Sequence, residues 1–234
     1  MKNFIKNYLK KLDIEINENQ AKSFIIYKEL LVEWNKVMNL TGITEDKDVA
    51  IKHFADSVTP LNIADFKNKS VIDVGTGAGF PGLPLKIAEP TINLTLLDSL
   101  TKRLNFLEEV CRNINIDAEF VHGRAEELGQ DTNFREQFDI AVSRAVAPLN
   151  VLAEFDIPYV KVGGLMIALK GPTAYYEIEK AKNAIDELGG KIERVEDIIL
   201  PDTDLKHTIV VIKKIKNTMD KYPRRAKKIE RRPL

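Results

Sequence analysis

The sequence holds one cysteine, one tryptophan and three histidines in 234 residues. A lone thiol, Cys111, cannot close an internal disulfide, and it fits a reducing compartment. No Cys/His cluster has metal-ligand spacing, so no metal is expected. No serine stands in a nucleophile-elbow pattern, which removes the simplest hydrolase reading. No apolar run approaches the ~20 residues of a membrane-spanning helix. The basic opening "MKNFIKNYLKKL" is followed by neither an uncharged apolar core nor a small-residue cleavage site, so it reads as an amphipathic helix. A cytoplasmic monomer with no membrane partner is expected. The N-x-T matches at 39–41 and 93–95 then carry no meaning as glycosylation sites. Internal repeats and low-complexity linkers are absent too.

Net charge is also absent, at 35 basic against 35 acidic residues, but the balance is uneven. Residues 213–234 carry ten Lys or Arg against Asp220 and Glu230, a net +8, so residues 1–212 carry −8. The end "KYPRRAKKIERRPL" reads as an extended basic strand suited to phosphates, which points to nucleic acid. An apolar fraction of 44% supplies a core for one domain of ordinary size.

Patterning divides the chain. Up to about residue 65 it reads as helical. Ala21, Phe24, Leu31, Trp34 and Met38 recur at helical spacing, and a further helix covers 45–58. Short β-rich runs then alternate with helical stretches: "SVIDV" (70–74), "NLTLLD" (93–98), "AEFVHG" (118–123), "FDIAVSR" (138–144) and "GGLMIALKG" (163–171). A helix is expected near 148–160. Another carries Ile178, Ala181, Ile185 and Leu188 and stops at Gly189-Gly190. Two last strands, "KIERVEDIIL" and "KHTIVVIKK", are joined by "PDTD", too short for a crossover, so they must be antiparallel. The prediction is an α/β, doubly wound, Rossmann-like sheet with a C-terminal antiparallel strand. A helical N-terminal cap (1–65) precedes the sheet domain (66–216), and a basic tail (217–234) follows it.

"VIDVGTGAGFPGLPL" (71–85) places Gly75, Gly77, Gly79 and Gly82 after a strand and before a helix, where backbone can approach a nucleotide-like ligand. The G-x-G-x-x-G spacing of Gly77, Gly79 and Gly82 would suit an NAD(P)-dependent oxidoreductase. Asp73 and the final hairpin argue against it, because a carboxylate beside a pyrophosphate is unfavourable whereas a sulfonium would welcome it. Asp98 ends the second strand and can accept from ribose hydroxyls; the competing reading pairs it with Lys102.

The motif "DVGTGAGFPG" resembles the first motif of class I S-adenosylmethionine-dependent methyltransferases. More narrowly, "WNKVMNLTGI" (34–43), "KHFADSV" (52–58), "LLDSLTKR" (96–103), "GRAEEL" (123–128), "FDIAVSRAVAPL" (138–149), "ALKG" (168–171) and "YPRR" (222–225) jointly resemble the ribosomal RNA small subunit methyltransferase G family, also called glucose-inhibited division protein B. The resemblance spans nearly the whole chain. It implies S-adenosyl-L-methionine as cofactor, with Gly75, Phe80, Ala125, Glu126 and Arg144 as contacts. It also implies 16S ribosomal RNA of the small subunit as partner and N7 of guanine 527 as nucleophile.

That nitrogen holds a free lone pair at neutral pH, so no general base is required. For RNA, Arg224, Arg225, Lys227 and Lys228 are the candidates, followed by Arg231, Arg232 and the N-terminal Lys2, Lys6, Lys10 and Lys11. His53 reads as a packing or capping residue, His122 and His207 as structural, and Trp34 as core. A non-catalytic RNA-binding factor that retains the fold is the other alternative.

Overall fold

The computed structural model describes residues 1–234. Its centre is a seven-stranded sheet of order β3-β2-β1-β4-β5-β7-β6. The strands are β1 (Ser70–Val74), β2 (Asn93–Asp98), β3 (Glu119–His122), β4 (Phe138–Arg144), β5 (Val160–Lys170), β6 (Gly190–Ile199) and β7 (Lys206–Lys214). β1 to β5 are parallel; β7 runs antiparallel to both β5 and β6, as the short "PDTD" link requires.

Central strands read as apolar runs because both of their faces are covered. Along β7, Ile209 and Val211 enter one core and Val210 and Ile212 the other. The edge strand β6 instead carries Lys191, Glu193, Arg194, Glu196 and Asp197, charges that discourage further pairing.

On one face lie α1 (Lys2–Lys10), α2 (Glu18–Met38), α3 (Asp46–Asp48), α4 (Asp56–Val58), α5 (Gly82–Ala88) and α6 (Thr101–Ile114). On the other lie α8 (Leu149–Asp156) and α9 (Ala174–Glu187), with the one-turn α7 (Ala125–Leu128) at the β3 end. The N-terminal helices are no detachable lobe. Ile5, Leu9, Phe24, Tyr27 and Phe54 share one core with Leu83 of α5, Leu107 of α6 and Val142 of β4. α2 starts on a capping box in which Asn17 accepts from the Gln20 amide and the Gln20 side chain accepts from Asn17 N–H.

Three boundaries depart from the sequence reading. The helix expected over 45–58 is present, but Val49–Ala55 forms a π-helical turn between α3 and α4. The helix near 148–160 closes at Asp156, and Ile157–Tyr159 is a 3-10 turn, since Pro158 has no N–H to continue the ladder. β5 begins at Val160, three residues early.

The basic tail is not an extended strand. Tyr222 and Ile229 are buried, and α10 (Ala226–Arg231) lies against the body. The Arg135 guanidinium donates to the carbonyls of Gly129, Thr218 and Tyr222, and the Gln130 amide to those of Asp220 and Pro223. Lys214, counted among the tail's cations, is buried on Glu136 and the Ile157 carbonyl.

Candidate cofactor site at the carboxyl edge of the sheet

The carboxyl ends of β1 to β4, the π-helical turn and α10 enclose an open cleft of about 590 Å³, within the range of small-molecule sites. Gly75, Gly77, Phe80, Asp98, Ala125, Glu126 and Arg144 all line it. Gly79 does not, which corrects its reading as a ligand contact.

The four glycines do different work. Gly77 has φ +60°, and a Cβ there would meet nothing nearer than 3.9 Å, so its backbone is open to a ligand. Gly79, at φ +97°, faces inward: a Cβ would lie 2.5 Å from the Tyr27 hydroxyl oxygen. Gly82 likewise packs on Asp73, whose Oδ2 would be 2.7 Å from a Cβ. Gly82 permits close packing of α5 on β1, and Gly79 the close approach of Tyr27 of α2 and Leu107 of α6.

All the loop amides but that of Ala78 are already taken. Gly75 and Thr76 N–H donate to the Leu97 carbonyl at 2.9 and 3.0 Å, and Gly79 and Phe80 N–H to the Thr76 carbonyl at 2.9 and 3.1 Å. Gly77 N–H donates to Asp98 Oδ2 at 2.9 Å and Gly82 N–H to Asp73 Oδ2 at 2.8 Å. A pyrophosphate needs free amides at this turn. Here two carboxylates and two carbonyls hold all of them but the Ala78 N–H.

Asp73 therefore disfavours a dinucleotide for a reason other than the one read from sequence. Its side chain is fully buried beneath the loop, bonded to Thr76 Oγ1 at 2.7 Å, and does not face the cleft. Burial outweighs the Thr76 and Gly82 hydrogen bonds and pushes its carboxyl up to about 6.

Asp98 is the pivot of the floor. Besides Gly77 N–H, it accepts from Leu100 N–H at 2.9 Å and Arg103 Nη1 at 3.2 Å. Its ion-pair partner is Arg103 and not Lys102. Arg103 is half exposed, so it can yield a lone pair to a ribose hydroxyl.

At the cap end, the Phe80 ring stacks between Tyr27 and His53, with centroids at 5.6 and 4.5 Å, and the Arg144 guanidinium carbon sits 4.8 Å from its centroid. The Tyr27 hydroxyl donates to the Ala78 carbonyl, which locks the ring under the loop. Arg144 donates to Asp56 Oδ2 at 2.7 Å and to the Lys52 carbonyl at 3.1 Å, and its Nη2 lies 3.3 Å from His53 Nδ1. Burial first, and then the Arg144 charge, holds the His53 imidazole down at about 4, so it is neutral at physiological pH.

The sequence reading left out His53 and also Thr41, Arg103, Arg124, Ala226 and Glu230, all of which line the cleft. His53 stands in the motif "KHFADSV" and Thr41 in "WNKVMNLTGI", but neither residue type at its position points to a ligand by itself.

The tail cations separate. Arg225 and Lys227 border a second cleft that shares Arg124, Glu126 and Ala226 with the first, and Lys228 is exposed nearby. Arg224 is withdrawn from the RNA candidates: its guanidinium grips the buried Glu154, with Nη2 to Oε2 at 2.6 Å and Nε to Oε1 at 2.8 Å. At the N-terminus, Lys2 and Lys6 are paired with Glu18, and Lys11 with Asp202.

A family model described as rRNA small subunit methyltransferase G matches residues 20–205. The Ribosomal RNA small subunit methyltransferase G of Alkaliphilus oremlandii (strain OhILAs) is 52% identical over 236 residues, covering 100% of this chain and 99% of that one. Its counterpart from Thermoanaerobacter sp. (strain X514) is 53% identical over 216 residues, covering 92% and 90%. In fold, the chain is similar to TrmN from Thermus thermophilus, with a TM-score of 0.53 at 17% identity over 68% of this chain and 48% of that one. It is also similar to M. jannaschii TYW2 in complex with AdoMet, at 0.51 and 14% over 68% and 73%.

Proposed function

Because the chain belongs to the rRNA small subunit methyltransferase G family, we propose that it transfers a methyl group from S-adenosylmethionine to N7 of guanine 527 in 16S ribosomal RNA. The observation that carries this reading is the glycine loop. All of its amides but that of Ala78 are held, by the Leu97 and Thr76 carbonyls, Asp73 and Asp98, which leaves too few free donors for a pyrophosphate, while Gly77 stays open to a nucleoside. S-Adenosylmethionine supplies, when bound, a methyl group made electrophilic by a sulfonium.

Asp98 and Glu126 offer carboxylates to ribose and adenine donors, and Ala125 lies beside them. Ala125 is itself fixed, because its carbonyl accepts the Tyr159 hydroxyl at 2.7 Å. Arg144, Phe80 and His53 close the other end. Guanine N7 needs no deprotonation, and His53, held neutral, is suited to positioning and not to acid–base work. Rate acceleration then comes from alignment of the base and exclusion of water. Arg225, Lys227 and Lys228 face the RNA backbone and fix register without reading sequence. An rRNA substrate is consistent with action in the cytoplasm.

The test is transfer of radiolabel from the cofactor to small ribosomal subunits and to naked 16S RNA, with mapping of the labelled base. One labelled guanine at N7 is the expected result. RNA binding without label would favour the non-catalytic factor, and preference for NAD(H) in equilibrium dialysis would overturn the cofactor.

A further inference from the structure

A chain of three side chains at the cap end of the cleft has a fixed polarity. It begins at Arg144. A guanidinium can only donate, so the 3.3 Å approach of Arg144 Nη2 favours His53 Nδ1 as acceptor over a ring N–H donating to the Lys52 carbonyl, which already accepts Arg144 Nη1 at 3.1 Å. Neutral imidazole carries one proton, which must then sit on Nε2. That N–H donates to Thr41 Oγ1 at 2.7 Å. The same oxygen accepts the Ile43 amide at 3.0 Å.

Both lone-pair positions of the Thr41 hydroxyl are thereby filled, and its own proton has no acceptor within the protein. Thr41 lines the cleft. The proton is therefore offered to whatever the cleft holds.

The polarity of the cleft indicates which ligand group receives it. At the β2–β3 end stand the carboxylates of Asp98 and Glu126, partners for hydroxyl and amino donors. The opposite end presents Arg144 and the Thr41 O–H, partners for an anion. A nucleoside amino acid laid along the cleft with its ribose at Asp98 brings its carboxylate to the second end.

We propose that Thr41 is a cofactor-binding residue whose hydroxyl donates to the amino-acid carboxylate of S-adenosylmethionine, in an orientation imposed by Arg144 through His53. This inference rests on the methyltransferase reading and names a contact within that site.

The test compares two ligands by isothermal calorimetry. S-Adenosylhomocysteine carries the amino-acid carboxylate; 5′-methylthioadenosine has the same nucleoside and sulfur without it. Thr41→Val is expected to weaken S-adenosylhomocysteine about tenfold, the scale of one lost hydrogen bond to a charged group, and to leave methylthioadenosine unchanged within about twofold. Thr41→Ser, which keeps the hydroxyl, is expected to stay close to wild type for both.

Equal losses for the two ligands would overturn the proposal, and so would an unchanged S-adenosylhomocysteine affinity. Intact S-adenosylhomocysteine binding with a drop in single-turnover RNA methylation would assign the hydroxyl to the target base instead. Should Thr41→Val not fold, His53→Phe keeps a ring against Phe80 and removes the donor that orients Thr41. Its loss must again be confined to the carboxylate-bearing ligand. A wild-type protein that binds neither ligand would sink the methyltransferase reading itself.

Discussion

Arg144 at the end of β4 and Asp56 on α4 form an ion pair at 2.7 Å, each side chain only 15% exposed. Asp56 Oδ1 also accepts His207 Nδ1 of β7 at 2.7 Å, so one carboxylate ties the N-terminal helices to two strands. Burial alone would raise the Asp56 carboxyl, but His207 and Arg144 outweigh it and hold it below the usual range. Because the pair is largely desolvated, breaking it from one side strands a charge, at a cost of about 3–5 kcal/mol. Arg144→Ala and Asp56→Ala are each expected to destabilise on that scale, and the double variant by less than their sum. Thermal melts of the four proteins measure the coupling. Arg144→Lys is expected to rescue little, since one ammonium cannot serve Asp56, the Lys52 carbonyl and His53 together.

Asp98 and Arg103 should behave oppositely although they are paired. Asp98→Ala removes the acceptor that fixes Gly77 N–H as well as the group offered to the ribose. A loss of at least about tenfold in S-adenosylhomocysteine affinity is expected. Arg103→Ala removes only a half-exposed partner and frees a lone pair on Asp98. Its affinity is expected to remain within about threefold of wild type, since exposed pairs contribute little. Calorimetric titration of both variants checks the contrast; a matching loss in Arg103→Ala would make Arg103 a ligand contact in its own right.

Much of the fold was legible because its central strands are buried on two faces. "SVIDV" and "NLTLLD" are almost wholly buried and dominated by Val, Ile and Leu, and the terminal hairpin followed from the length of "PDTD" alone. What sequence could not give was the direction of side chains whose partners are remote in the chain. Gly79 looked like a ligand glycine, yet it packs under Tyr27, 52 positions earlier. Arg224 looked like a phosphate contact, yet its partner Glu154 lies 70 positions away and is fully buried. His53 looked ordinary because nothing local shows that a π-helical turn aims it at Phe80 and Arg144.

The tail cations should separate by readout. Arg224→Ala strands Glu154 in the core and is expected to lower stability by about 3–5 kcal/mol. It should leave the salt dependence of RNA binding unchanged in the folded fraction. The triple variant Arg225→Ala, Lys227→Ala, Lys228→Ala touches only exposed side chains. It should keep its melting temperature while RNA affinity falls and the slope of log K against log salt flattens, by about 0.7 for each single-strand phosphate that is no longer neutralised. Filter binding across a salt series distinguishes the two. An unchanged slope in the triple variant would remove α10 from the RNA interface.

Acid should act on two buried groups with opposite sign. His53 falls from 6.5 to about 4 in the folded protein, so between those values the unfolded chain binds the proton and the folded one does not. Its contribution to stability is intact above pH 6.5 and is lost as pH falls towards 4, by up to about 3 kcal/mol. Asp73 rises from 3.8 to about 6, so the folded protein holds a proton that the unfolded chain has released. Its burial costs nothing below pH 3.8 and up to about 3 kcal/mol above pH 6. In the wild type these two trends oppose each other across roughly pH 4–6, and the buried Asp156, whose carboxyl is also raised by burial, adds to the Asp73 side. Single variants uncover each trend. In urea titrations, His53→Gln should gain on the wild type as pH drops from 6.5 to 4. Asp73→Asn should gain as pH rises from 3.8 to 6. Parallel curves for wild type and His53→Gln would mean that the ring titrates as it does in water, and the neutral form that orients Thr41 would then be fully populated only well above pH 6.5.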